Sequence, residues 1–290
     1  MCAIDKRQFE RCKAVMKVFY TDRMVAESES FSPSAHKPRE VMKSWRALGL
    51  PLEIVEPDTV TIDQLALAHD RSFVVGVLSC RRDNGFGNRS PAVAASLPYT
   101  SGAMLAAARA AIANGGATVA PCSGFHHAGY DSADGFCTFN GLMVTACVLR
   151  AECLVRTVGI LDFDQHFGDG TEDILKRLGA SWVRHYSAGA SWHSPDQAER
   201  FLQTIPTIVE SMSDCDVILY QAGADPHVDD PLGGWLTLAQ LQERDRIVFE
   251  NAQRYGVPIA WNLAGGYQEP LRKVLDIHDN TMIECVSVFE

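Results

Sequence analysis

Short apolar runs alternate along this chain with longer stretches whose apolar positions recur at helical spacing. The runs predict strands at residues 14–20, 52–55, 117–122, 155–163, 182–186, 216–221 and 258–263. The central ones are almost uninterrupted in aliphatic residues, the signature of strands covered on both faces. Helices are predicted at residues 38–48, 61–69, 71–80, 101–113, 141–151, 172–178, 195–212 and 237–255, with a terminal helix after residue 267. Residues 285–289 read ambiguously. Boundary signals support these assignments. Pro38 suits a first helical turn, and Thr61-x-x-Gln64 and Thr237-x-x-Gln240 are capping boxes. Asn114-Gly115-Gly116 and Gly256 are stops. Residues 1–13 read as a polar lead-in and 27–37 as a polar loop. Residues 81–98 read as irregular, too long for a mere connector and therefore a functional loop or rim.

Strands and helices in alternation imply an α/β fold: three αβα layers around a central, mostly parallel sheet. No linker, repeat or low-complexity segment interrupts the pattern, so residues 1–290 read as a single domain. Ligands of such sheets bind beyond the C-terminal strand ends. Four polar segments fall there: His126-His127, residues 162–169, Asp225, and Gly265-Gly266-Tyr267.

Composition narrows the function. A hydrophobic content of 47% is ample for a large core, and the net charge of -10 argues against nucleic-acid partners and anionic membranes. The nine cysteines are odd in number and scattered, with no C-x-x-C, which fits reduced thiols. Residues 1–15 are charged and lack the apolar core of a signal peptide, and no apolar run is long enough to span a bilayer. The expectation is a cytoplasmic, soluble protein.

The richest chemistry lies at the end of the fourth strand. Asp162, Asp164 and His166 are spaced i, i+2, i+4, which on a strand points them to one side. Two carboxylates and an imidazole gathered at the end of a buried strand repel and desolvate one another unless a cation joins them. Gly168 and Gly170 allow a sharp turn, after which Thr171 is placed to cap a helix. Asp225, after another buried strand, is a third candidate ligand. Two carboxylates and one imidazole with open positions suit a catalytic Zn²⁺, and Fe²⁺ or Co²⁺ also fit. His126 and His127 each need an orienting partner to handle protons, and Asp162 and Asp169 are the spare carboxylates. The expected pairs are His126 with Asp162 and His127 with Asp169, with one histidine charged near neutrality. Tyr267, after tandem glycines, is placed to donate to an oxyanion.

Together these segments resemble the histone deacetylase family of the arginase/deacetylase fold, over roughly residues 15–280. The resemblance is carried by His-His-Ala at 126–128, Gly-Phe-Cys at 135–137 and Asp-x-Asp-x-His-x-Gly-Asp-Gly at 162–170. Gly-x-Asp at 223–225, Asp-Pro-Leu-Gly at 230–233 and Gly-Gly-Tyr at 265–267 follow in family order. His36-Lys37-Pro38-Arg39 is loosely similar to an N-terminal family motif. The resemblance implies Zn²⁺ on Asp164, His166 and Asp225, proton handling by His126 and His127, and transition-state stabilisation by Tyr267. It implies an acyl-lysine channel formed by Gly135, Phe136 and Gly265, and a structural K⁺ touched by Asp162. The substrate implied is an acylated lysine peptide or a small acylated amine such as an acetylpolyamine. A binuclear ureohydrolase and an inactive acyl-lysine reader are the alternatives. Two departures stand out. Gly85-Phe86-Gly87-Asn88-Arg89-Ser90-Pro91 carries Asn and Arg where the family usually has a rim aspartate. The second aromatic wall has no clear counterpart, with Trp192 and His193 as candidates.

Overall fold

Four of the seven strands end in the polar segments just described, and these four are neighbours. The computed structural model describes residues 15–289; the lead-in at 1–13 lies outside the described residues. The strands are β1 (Met16–Phe19), β2 (Leu52–Val55), β3 (Ala117–Ala120), β4 (Val158–Asp162), β5 (Val183–Ser187), β6 (Val217–Gly223) and β7 (Ile259–Ala264). They form one sheet in the order β2-β1-β3-β7-β6-β4-β5, and every pairing is parallel. All C-terminal strand ends therefore open on one edge. The adjacent strands β3, β7, β6 and β4 deliver the four segments to a common place.

The helices are α1 (Lys37–Ala47), α2 (Ile62–Leu65), α3 (Arg71–Leu78), α4 (Pro91–Asn114), α5 (Gly141–Ala151), α6 (Asp169–Leu178), α7 (Ala198–Glu210), α8 (Leu238–Tyr255) and α9 (Arg272–Phe289). α1, α9, α8 and α7 pack in succession, and α4 packs against α5 and the sheet. Every residue of β4, β6 and β7 is buried, as aliphatic strands between helical layers must be. Aromatic rings fill the space beside them: Trp45 meets Trp261 at 5.5 Å, and Phe201 meets Trp235 at 4.8 Å.

Several sequence expectations change. The last eight residues of the irregular 81–98 segment are helix: Ser90 caps α4 by accepting from Val93 N, and Pro91 opens it. Pro98 lies inside α4, where it forfeits only its own N–H bond. β4 ends at Asp162, so Asp164 and His166 lie on the turn beyond it, not on the strand. α6 begins at Asp169 with Gly168 at its cap; Thr171 is inside the helix, its hydroxyl accepting from Asn140 Nδ2 at 2.9 Å. The ambiguous residues 285–289 continue α9.

Candidate active site

Beyond the ends of β4 and β6, ligand atoms of Asp164, His166 and Asp225 all lie within 4.8 Å of one another. His166 Nδ1 is 3.2 Å from both Asp164 Oδ1 and Asp225 Oδ2. Asp164 and Asp225 are buried, while His166 is partly exposed toward the pocket. Gly265 makes this closeness possible. Its φ is +45°, and a Cβ there would lie 2.2 Å from Asp225 Cγ, so only glycine fits.

The charges are tense. Burial, reinforced by the Asp164 carboxylate, pushes the Asp225 carboxyl up to about 7. The contact with Asp164 and the Asp225 carboxylate beside it raise the His166 imidazole to about 10. Burial opposes ionisation of Asp164 too, but the His126 and His166 imidazoles outweigh it and hold its carboxyl well below the usual range. Asp225 Oδ2 is buried without a hydrogen-bond partner. A buried oxygen lacking a donor, beside a second carboxylate and an imidazole, is what a divalent cation would relieve. The donor set fits the metal.

The histidine pair sits alongside, with ring centroids 4.1 Å apart. His126 Nδ1 is 2.8 Å from Asp162 Oδ2, and His127 Nδ1 is 2.6 Å from Asp169 Oδ1. Burial alone would lower His126, but Asp162 and Asp164 outweigh it and raise it to about 9. His127 goes the other way: burial, then the His126 charge, push it below the ordinary value despite Asp169. Carboxylate pairing therefore does not raise both histidines, because His127 is largely buried beside a charged neighbour. Gly135, at φ +53°, lies against His127, where a Cβ would meet Cδ2 at 2.4 Å.

Tyr267 N donates to Asp230 Oδ2 at 2.8 Å, fixing the residue after the glycine turn. Burial, then the Asp225 and Asp164 carboxylates, raise its phenol, which stays a proton donor. His126, His127, Asp164, His166 and Tyr267 line one pocket together with Phe136. The Phe136 ring is 5.6 Å from that of Tyr267.

Three positions escaped the sequence reading. Gln221, opposite Asp162 in the β4–β6 register, donates from Nε2 to Asp162 Oδ1 at 2.9 Å, and its Oε1 accepts from Phe125 N at 2.9 Å. One amide thus ties the His126 loop to the His126 partner. Lys37 is wholly buried, and its ammonium donates to the Gly265 carbonyl. Desolvation lowers it to about 8, with Asp225 and Asp164 opposing. Phe31, in the polar loop, sets its ring 5.3 Å from that of Phe136, which lines the pocket. Lys37 had a signal, a charged residue flanked by family-like neighbours; Gln221 and Phe31 had none.

Trp192 and His193 do not line the pocket. Trp192 is buried against Phe201 and Trp235, its indole N–H donating to Tyr186 Oη at 2.8 Å. The His193 backbone is held by Gln197. Arg89 pairs with Asp83 at 2.7 Å, and Asn88 turns inward to the Ser28 carbonyl.

An all-parallel αβα sheet bearing an Asp-His-Asp metal cradle beside a histidine pair and a tyrosine defines a metal-dependent amidohydrolase. The description "Histone deacetylase domain" matches residues 32–187 and 177–281, and the chain belongs to that family. It is 28% identical to an uncharacterized protein of Picosynechococcus sp., over 88% of this chain and 95% of that one. Histone deacetylase 8 of Danio rerio is 24% identical over 77% of this chain and 70% of its own length. Among solved structures, the HDA15 HD domain superposes with a TM-score of 0.77 at 20% identity, covering 92% of this chain and 90% of that one. An acetylpolyamine aminohydrolase from Burkholderia pseudomallei gives 0.73 at 18% identity, covering 94% and 99%.

Proposed function

We propose that this amidohydrolase removes an acetyl or other acyl group from an acylated amine, foremost an acyl-lysine side chain in a peptide. The observation that carries the reading is the convergence of the metal cradle, the histidine pair and Tyr267 on one pocket. Asp164, His166 and Asp225 would hold Zn²⁺, with Fe²⁺ or Co²⁺ as substitutes. The ion, when bound, supplies Lewis acidity to the scissile carbonyl and acidifies a water.

The remaining steps belong to side chains of the chain. His127, kept neutral by burial and by the His126 charge, takes a proton at its pocket-facing nitrogen while Nδ1 is held by Asp169. The histidine pair then returns a proton to the leaving amine. Tyr267, its phenol protonated, donates to the oxygen that gains charge. Phe136 with Gly135 and Gly265 walls the passage for the amine's carbon chain. Asp162, accepting from Gln221 and facing His126, would share its remaining capacity with a K⁺ ion. Residues 1–290 would act as a single catalytic domain. The scattered thiols, Cys80, Cys122, Cys137, Cys147, Cys153 and Cys215, fit a reducing, cytoplasmic setting. Among the described residues no helix is long and apolar enough to cross a membrane.

A second reading, a small acylated amine such as an acetylpolyamine, draws support from the rim, where Asn88 is turned inward to Ser28. A turnover panel of acyl-lysine peptides and acetylpolyamines, with metal-reconstituted protein, tests both readings. Preference for the peptides supports the first and preference for the polyamines the second. Absence of turnover on every member overturns both.

A further inference from the structure

Phe31 is 75% exposed, the most exposed of the large apolar side chains among the described residues. An apolar ring left in water against two rings that line the pocket calls for a partner. The loop that carries it is not loose. Ala26 N donates to Ala35 O at 3.0 Å and closes its neck. Ser28 and Ser32 on either side of Phe31 are buried, and the Ser32 hydroxyl donates to Ser34 Oγ at 2.9 Å. Glu29 adopts φ +54°, a left-handed conformation that side chains take only when their surroundings enforce it. The ring is therefore held out, not frayed out.

It is held toward the site. Its centroid lies 5.3 Å from Phe136, edge to face, and 6.4 Å from Tyr267. Phe86 extends the group, 5.8 Å from Phe136. Phe136 is itself at φ +62°, so both facing rings are presented by enforced backbone. The latch on the Phe31 loop is Asn88. Its Nδ2 donates to the Ser28 carbonyl at 2.7 Å, while its Oδ1 accepts from Ser90 N at 3.1 Å and Asn84 Nδ2 at 2.8 Å. With both lone pairs of its oxygen taken, this asparagine has no acceptor left for the backbone N–H groups of a substrate's main chain.

We propose that Phe31, latched by Asn88, is the second aromatic wall of the pocket, and that this mouth selects the slender apolar linker next to the scissile amide over any flanking peptide. The inference rests on the deacylase reading and names what the mouth of that same site recognises. It makes the two departures at the rim one change: the residue that would grip a backbone became the hook for the loop that supplies the missing ring. Asn88 is a positioning residue and Phe31 a specificity residue.

The test compares two substrates, an end-capped acetyl-lysine and an acetyl-lysine heptapeptide, in wild type, Phe31→Ala, Phe31→Tyr, Asn88→Asp and the Phe31→Ala/Asn88→Asp double variant. Covering one face of a phenyl ring is worth roughly tenfold in affinity. Phe31→Ala is expected to raise KM about tenfold on both substrates with kcat little changed, and Phe31→Tyr to keep the wild-type value. Asn88→Asp, unable to donate to Ser28, should raise KM similarly, and the double variant should be no worse than Phe31→Ala alone. Wild type should show the same KM on both substrates. Calorimetric titration with a non-hydrolysable ketone analogue of acetyl-lysine gives a readout independent of turnover, and Phe31→Ala should weaken it by a like factor. An unchanged KM in Phe31→Ala overturns the proposal while the deacylase reading stands. So does an Asn88→Asp variant whose KM falls for the heptapeptide alone, since an added carboxylate would then be gripping the backbone. A wild type that neither turns over the substrates nor binds the analogue removes both readings together.

Discussion

Arg244 Nη1 donates to the carbonyl oxygen of Gly223 at 2.7 Å, from a guanidinium with no solvent exposure. The same nitrogen reaches Phe163 O at 3.2 Å. Phe163 precedes Asp164 and Gly223 lies two residues before Asp225, so one side chain of α8 ties together the two turns that carry the carboxylates. Its charge is balanced by Asp245, at 2.8 Å, which also accepts from Thr281 Oγ1 at 2.6 Å.

Replacing Arg244 with Met should cost about 3–5 kcal/mol of stability, because Asp245 is left charged, buried and without its partner. Arg244→Lys keeps the charge but loses the fork, and should fold with metal affinity reduced about 10–100-fold. Competition against a chelating dye measures the affinity, and thermal unfolding without metal measures the fold. A Lys variant with undiminished affinity would deny the guanidinium any part in spacing the ligands.

Asp225→Asn should abolish stoichiometric metal binding, read by elemental analysis of the purified protein. Its effect on the metal-free fold has the opposite sign. The Asp225 carboxyl is raised to about 7, chiefly by burial, so the folded state resists its ionisation. The metal-free wild type therefore loses stability as pH rises from the unfolded-state value through about 7. The Asn variant lacks this term, and above neutral pH its metal-free form should melt no lower than that of the wild type.

Tyr267→Phe removes a donor and leaves the three ligands in place. Metal content should stay at the wild-type level while kcat falls about 10²–10³-fold, the loss typical of one oxyanion donor. A variant with near-normal kcat would take the phenol out of the reaction.

His69 supplies an acid-sensitive joint beneath the histidine loop. Its Nδ1 is 2.8 Å from Gly129 O, and its Nε2 accepts from Asn140 N at 2.9 Å, so the ring must be neutral. Burial lowers it to about 4. The folded state thus binds this proton less readily than the unfolded state. The stabilisation is complete above about 6.5 and is lost as pH falls from there to about 4, by up to about 3 kcal/mol. His69→Gln can keep both hydrogen bonds, and its denaturation midpoint should depend less on pH across that window. Parallel curves for variant and wild type would assign the acid lability elsewhere.

The layered fold and the cradle were legible because their signals are local. Each polar segment interrupts an apolar run, and a strand that turns polar at its end announces a site. Long-range partners left no such trace. Gln221 reads as one polar residue in a strand, and only the β4–β6 register reveals that it serves Asp162 and the Phe125 backbone together. Phe31 lies among serines with no period to mark it, and its meaning comes from Phe136, more than a hundred positions away. Trp192 misled for the converse reason. It sits where the family resemblance expects a channel residue, yet its ring is buried against Phe201 and Trp235. Residues 81–98 read as irregular, yet the proline at 98 removes one hydrogen bond from a helix of 24 residues, and the buried alanines and Ser90 cap of α4 outweigh that cost of about 3 kcal/mol.

The order of strands has a consequence for how the protein is made. Among the described strands β6 and β7 come latest in the chain, yet they are inserted between β3 and β4. Until they arrive, β3 and β4 each lack a neighbour on the inner side, and Asp164 and His166 wait without Asp225. A ribosome that has released only the first two hundred residues has delivered two half-sheets with open inner edges, a state that invites pairing with other chains. Catalytic competence thus waits on β6 and β7, the two strands that zip the halves into one.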